Sequence, residues 1–442
     1  MPTVHPEEPT SRRTPPSIPR QLIERYAAAI PRYTSYPTAP NFNEKYDHNA
    51  YQQSASQSNQ VLLPRDLSVY IHIPFCHSLC YFCGCNKVIC RPNNPKVDRY
   101  VDHLFDEMQM RSALFDDDRR VSQIHFGGGT PNFLTETQLA ELLERIAVRF
   151  HLDLPSRLEV GIEIDPRSIT PDGIKQLAAA GFNRFSIGVQ DFSSDVQRAV
   201  NRWQDESATL AVIEAALNLS DSVNVDLITG LPKQDIQSFD QTLEKIIDVG
   251  VSRIAAYNFA YLPDRIKAQK LINPNELPDA ETRLTLATAT RNKLLEAGYK
   301  HIGMDHYALP TDSLSHAHAA DTLQRNFQGY TTHAATDLVG LGASAISHFK
   351  YAFAQNSTGL NDYMAAIASG VLPVERGVLL DDDDVLRAEF IQQIMCRQQI
   401  DLTRPIRAII DSNSEQTLGE YFETELSGLK QFEIDGLVQT TP

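Results

Sequence analysis

Between residues 67 and 259 six short apolar, β-branched runs alternate with longer segments of helical period, and no other feature narrows the possible folds so far. The runs are residues 68–73, 121–126, 158–164, 184–189, 223–228 and 253–259; helices are expected at 97–111, 136–150, 171–180, 207–219 and 236–249. Strands joined through helices pair in parallel, so six such units predict an α/β fold, a closed or partly open barrel rather than a doubly wound sheet. Periodicity does not decide closure. One regularity favours the barrel: a polar residue or glycine ends or follows nearly every run, namely His72, Gly127 to Gly129, Glu163 and Asp165, Gln190, Asp226 and Asn258. In parallel barrels those ends meet at one mouth, where the chemistry is done.

The flanks differ from this core. Residues 1–22 carry six prolines among polar residues and are expected to form a mobile arm; a helix around 22–30 and an ordered loop through Tyr36 and Pro37 follow. After about 350 the pattern turns to acidic helical segments with few strands. From 381 to 442 thirteen Asp and Glu face five Lys and Arg, which excludes a DNA-binding winged helix. Three parts result: an arm at 1–62, the barrel at 63–350 and a small, mainly helical C-terminal domain at 351–442.

Hydrophobic residues at 42% allow a sizeable core, and a net charge of −16 disfavours nucleic acid and anionic membranes as partners. No apolar run approaches the length that spans a bilayer, and the N-terminus does not read as a signal peptide, so a cytoplasmic location is expected. Five of six cysteines fall between Cys76 and Cys90, a poor layout for stapling a long chain and a good one for a metal centre. Cys396, alone, reads as a small buried hydrophobe. Cys76, Cys80, Cys83 and Cys85 follow the first strand in a loop with no second pair of ligands of the kind structural zinc prefers. Thiolates so close together suit an iron–sulfur cluster, and three of them on four irons leave one iron open.

The spacing C-x3-C-x2-C after a first barrel strand resembles the radical S-adenosylmethionine (SAM) superfamily. RYTSYP at 32–37, YIHIPF at 70–75, the CYFCGCN ending of the cysteine loop, GGGTP at 127–131, EIDPR at 163–167, GFNRFSIGVQDF at 181–192, GLPK at 230–233, GMDH at 303–306 and RNFQGYT at 325–331 are similar to the oxygen-independent coproporphyrinogen III oxidases. The resemblance implies a [4Fe–4S] cluster on Cys76, Cys80 and Cys83, with Cys85 outside the ligand set. It implies two SAM molecules: Tyr70, Gly128 and Glu163 contact the first; Phe82, Gly129, Thr130, Gln190, Arg202, Asp226, Ala260 and Ile346 contact the second. The glycines are expected to let the backbone approach SAM, and the fork of Arg202 to hold a carboxylate.

The implied reaction turns two propionates of coproporphyrinogen III into vinyl groups, using a 5′-deoxyadenosyl radical from SAM. Arg32, Arg202 and Arg325 are candidates for the propionates, and Asp305 with His306 for positioning a propionate or relaying a proton, or for a hydrogen-bonded structural pair. A low-potential donor such as flavodoxin or ferredoxin is the implied partner of a monomer. Members of the family continue beyond the point matching Gly436, so a truncated C-terminal domain is expected, which bears on substrate enclosure more than on radical generation. A haem-binding protein on the same barrel, without decarboxylase activity, is the alternative.

Overall fold

The computed structural model describes residues 20–26, 35–60, 63–220, 222–333, 336–410 and 412–440. The start of the Pro-rich arm, Arg32 and residues 27–34 lie outside them. All six expected strands form, as β1 (Leu67–Ile73), β2 (Arg120–Gly128), β3 (Glu159–Ile164), β4 (Arg184–Gln190), β5 (Val223–Thr229) and β6 (Arg253–Asn258). Between them run α1 (Pro95–Ser112), α2 (Glu136–Arg149), α3 (Pro171–Ala180), α4 (Glu206–Leu217) and α5 (Ile236–Val249). Each starts on a side-chain cap: Asn94, Thr135, Thr170, Asp205 and Asp235 accept from backbone N–H groups of the first turn. After α6 (Ala280–Glu296), β7 (Lys300–Gly303) and β8 (His306–Ala308) add antiparallel strands beside β6.

The other edge is built by strands absent from the expected set. β9 (Asp337–Leu341) runs parallel to β1, making seven parallel strands along the main path of the sheet, to which the short strand His151–Leu152 adds beside β2, and β10 (Ile346–Phe349), β11 (Ala352–Asn356) and β12 (Val374–Leu379) continue antiparallel. The order is β7-β8-β6-β5-β4-β3-β2-β1-β9-β10-β11-β12, and among the described residues the edge strands β7 and β12 do not pair, so the barrel is partly open. The chain therefore keeps its sheet architecture past residue 350, which falls in the turn between Phe349 and its partner Ala352. Helices take over from α7 (Asp382–Arg397) onward, around a small core of Leu386, Ile406, Ile410, Leu418 and Phe422.

The two faces of the curled sheet have opposite character. Phe185, Ile187, Val189, Val223, Val225 and Leu227 point outward and are buried under the helices. The inward positions of the same strands are Arg184, Ser186, Gly188, Asn224 and Asp226, leaving a polar lumen where a closed barrel would be filled with branched apolar side chains. Glu107 on α1, fully buried, fastens the β9 side: it accepts from Arg111 Nε at 2.8 Å, Gly342 N at 2.7 Å, Asn356 Nδ2 at 2.8 Å and Tyr363 Oη at 2.7 Å. Cys396 is buried with Ile302 and Tyr330, as expected of a small hydrophobe. No helix among the described residues is long and apolar enough to cross a membrane.

Candidate active site

The cysteine loop is closed at its base by the two-residue strands Phe75–Cys76 and Val88–Ile89, paired in parallel, with Val88 N donating to Pro74 O at 2.6 Å and Cys90 N to Cys76 O at 3.2 Å. Its crest is tied from three sides. Tyr81 N donates to Val200 O at 2.9 Å, Asn201 Nδ2 to Leu79 O at 2.8 Å, and Gln269 Nε2 to Phe82 O at 3.2 Å. His72 joins it to β1: the ring meets Asn86 O through Nε2 at 3.0 Å and Tyr70 Oη through Nδ1 at 3.1 Å. Because Asn86 O accepts, Nε2 carries the proton and Tyr70 donates to Nδ1. Burial lowers the His72 pKa, which keeps this neutral arrangement.

The glycines at the end of β2 also meet a packing requirement. A Cβ at Gly127 would stand 2.9 Å from both Glu163 Oε1 and Tyr70, one at Gly128 2.9 Å from His72, and one at Gly129 2.9 Å from Cys76 Sγ. The triplet is thus required by protein packing: β2 lies directly against the sulfur and the residues around it.

Cys76, Cys80, Cys83, Phe82, Gly128, Gly129, Thr130, Glu163, Gln190, Arg202 and Asp226 line one cavity of about 230 Å³ at the strand C-termini. Tyr70 does not line it; its ring packs against Gly127, 2.9 Å from where a Cβ would stand. Ala260 and Ile346 do not line it: Ala260 O accepts from Gln269 at 3.0 Å, and Ile346 packs on the apolar cluster of Phe42 and Phe353. All cysteines are free thiols, and Cys85 is exposed. Burial pushes the Cys76 thiol up to about 11 despite the Thr130 hydroxyl at 3.4 Å. The neighbouring Cys85, helped by Lys87 and opposed by burial, holds Cys83 below the usual thiol range.

Cys80 has cations on two sides. Arg202 Nη1 is 3.6 Å from its sulfur and Arg167 Nη2 is 3.7 Å away. Both arginines grip Asp165, at 3.4 and 2.6 Å, and their combined pull outweighs burial to hold that carboxyl well below the usual range. Arg202 Nη2 also donates to Gly188 O at 2.5 Å, so its fork is engaged by the protein rather than open to a carboxylate; among the described residues its buried Nε has no partner. Across the cavity, Glu163 accepts from Gly128 N at 3.2 Å, faces His125 Nε2 at 3.4 Å and remains 45% exposed, with lone pairs to spare.

Asp305 and His306 face different cavities, and Arg325 lies over the Tyr330 ring at 4.7 Å. Sequence reasoning overlooked Arg167, His125 and Ser186, all within or beside the mouth. The donor set fits the implied group: each thiolate of a four-iron cluster binds a different iron, the two arginines offset its negative charge, and Glu163 and Asp226 suit a cationic ligand.

A family model described as the radical SAM superfamily matches residues 70–246. The oxygen-independent coproporphyrinogen III oxidase of Salmonella typhimurium is 41% identical over 418 residues, covering 94% of this chain and 89% of its own length. That of Pseudomonas aeruginosa is 41% identical over 421 residues, 95% of this chain and 89% of its own. The solved coproporphyrinogen III oxidase from Escherichia coli, described as a radical SAM enzyme, superposes with a TM-score of 0.87 at 40% identity, covering 95% of this chain and 93% of that one. Sharing about two residues in five with these enzymes over nearly its whole length, and their fold, this chain belongs to the oxygen-independent coproporphyrinogen III oxidase family of radical SAM enzymes.

Proposed function

We propose that this chain oxidatively decarboxylates two propionates of coproporphyrinogen III, giving protoporphyrinogen IX for haem synthesis in the absence of oxygen. The observation that carries the reading is the gathering of four free thiols, two arginines and three carboxylates around one cavity that opens into a polar lumen. When bound, the cluster and SAM supply a radical that takes a hydrogen from the carbon β to the carboxylate. The substrate radical then loses CO2 and passes one electron to a separate one-electron acceptor, leaving a vinyl group.

The side chains divide the work. Cys76, Cys80 and Cys83 are assigned as cluster ligands, and Arg167 and Arg202 offset the charge beside Cys80. Glu163 and Tyr70 are assigned to the first SAM, and Gln190, Asp226, Thr130 and Phe82 to a second. Loop ties from Val200, Asn201 and Gln269 keep the crest closed over the cavity. A low-potential flavodoxin or ferredoxin is the electron donor we assign, and cytoplasm the location.

The test is anaerobic incubation with coproporphyrinogen III, SAM and a reductant. Vinyl product accompanied by methionine and 5′-deoxyadenosine is expected, and Cys80→Ser should abolish it together with the cluster. Stable haem binding without product would favour the haem-binding alternative.

A further inference from the structure

Beneath the mouth the lumen continues into a second cavity of about 90 Å³ that shares Glu163, Ser186 and Asp226 with the first. Charge reverses along this axis. In register, Ser186 stands beside Glu163 and Arg184 one inward position lower; Arg253 pairs with Asn224, one inward position below Asp226. Two residues of strand are about 7 Å, so a carboxylate layer sits about that far above a guanidinium layer.

The floor has more donors than its own acceptors satisfy. Arg184 Nη1 pairs with Glu159 at 2.6 Å, and Arg253 Nε with both oxygens of Asp312 at 2.9 and 2.7 Å. Arg253 is 3% exposed, yet its Nη1 has no hydrogen-bond partner among the described residues. The same holds for His306 Nδ1, which lines this cavity, and for Nε and Nη1 of Arg325, behind Tyr330. Buried polar groups without partners are costly and rare, and the two that line this one cavity, Arg253 Nη1 and His306 Nδ1, point to an anionic ligand when the imidazole carries its proton on Nδ1. His306 senses the same field: burial first, then Arg325, Arg184 and Arg253, lower its pKa to about 3 and keep the ring neutral.

We propose that this floor is a carboxylate subsite that seats a propionate of coproporphyrinogen III other than the one reacting, with Arg253 Nη1 and His306 Nδ1 as donors. The inference rests on the reading of the reaction above. A cavity of about 90 Å³ admits a carboxyethyl arm or a few waters but no tetrapyrrole, so the macrocycle stays at the mouth while one arm reaches down. The carboxylate layer above repels an anion that stops halfway and suits the cationic SAM instead.

Two variants test it on the reconstituted enzyme. Arg253→Lys keeps the charge beside Asp312 but removes Nη1; His306→Phe keeps the ring contacts with Tyr257 and Tyr330, at 5.7 and 5.1 Å, but removes Nδ1. We expect the KM for coproporphyrinogen III to rise about tenfold or more in each, with kcat and porphyrinogen-free SAM cleavage changed less than about threefold. Fluorescence titration with coproporphyrin III, the oxidised analogue, reads binding without turnover and should weaken to match. Unchanged KM and unchanged porphyrin binding in a folded variant, or a parallel loss of SAM cleavage, would overturn the subsite; should one variant misfold, the other decides. A wild type that binds the porphyrin but forms no vinyl product would instead sink the reading of the reaction.

Discussion

The space where Gly129 lacks a Cβ lies 2.9 Å from Cys76 Sγ, and equally 2.9 Å from the carbonyl oxygen of Pro74. That carbonyl accepts from Val88 N, and Gly129 N itself donates to Ile73 O at 2.9 Å, so neither backbone can retreat without opening the base of the cysteine loop. The sulfur must move instead. Gly129→Ala should therefore retain its secondary structure yet hold less than about half the wild-type iron and sulfide after anaerobic reconstitution, since overpacking at such a site costs about 1–3 kcal/mol. Full cluster content in the alanine variant would show that the loop absorbs a methyl group without displacing Cys76.

Arg167 places a positive charge 3.7 Å from the Cys80 sulfur while sharing Asp165 with Arg202, so two cations and one anion surround that thiol. Net positive charge beside a cluster ligand favours the reduced cluster. Arg167→Gln removes the charge but keeps N–H donors near Asp165. It should lower the cluster's reduction potential on the order of 50 mV, close to the 59 mV that corresponds to a factor of ten for one electron. A redox titration followed by electron paramagnetic resonance checks this, and an unshifted potential would leave Arg167 a merely structural partner of Asp165.

Why some of this was legible in the sequence and some not follows from where the information resides. The strands from 67 to 258 announce themselves because their outward faces are apolar and β-branched, and the capped helices lie within two residues of expectation. β9 (DLVGL), β11 (AFAQN) and β12 (VERGVL) lack such a pattern: short, interrupted by small or charged residues, they are held in the sheet by neighbours rather than by propensity. The cysteines were visible as a local cluster. Arg167 was not, since Cys80 is 87 positions away and only the fold joins them. The polar lumen was available in principle as a period of two, in Gln123, His125 and Gly127 or Arg184, Ser186 and Gly188, but attention to the strand ends concealed the lower half of each ladder. For Arg202, residue type suggested an open fork, whereas the β4 backbone at Gly188 occupies it.

Asp226 shows how the lumen trades stability for chemistry. Its oxygens accept from Asn224 Nδ2 at 2.9 Å and Ser186 Oγ at 3.1 Å, but burial dominates and pushes its pKa up to about 6. The usual aspartate value is about 3.9, so the fold disfavours the ionised form. A raised carboxyl pKa means that the folded state binds the proton more tightly than the unfolded chain. Its cost to stability is absent below about pH 4, grows as pH rises towards 6 and is fully present above. Two pKa units correspond to about 3 kcal/mol, which partial exposure reduces to about 1–2. Asp226→Asn, which keeps an acceptor but loses the charge, should therefore be more stable than wild type by that amount at pH 8 in SAM-free protein. The advantage should shrink to nothing near pH 4. Denaturant unfolding at both pH values checks the sign: an asparagine variant no more stable at pH 8 would mean that Asn224 and Ser186 already satisfy the carboxylate. The same variant should bind SAM less tightly, because the ionisation that costs the fold stability is what a sulfonium or ammonium group would use.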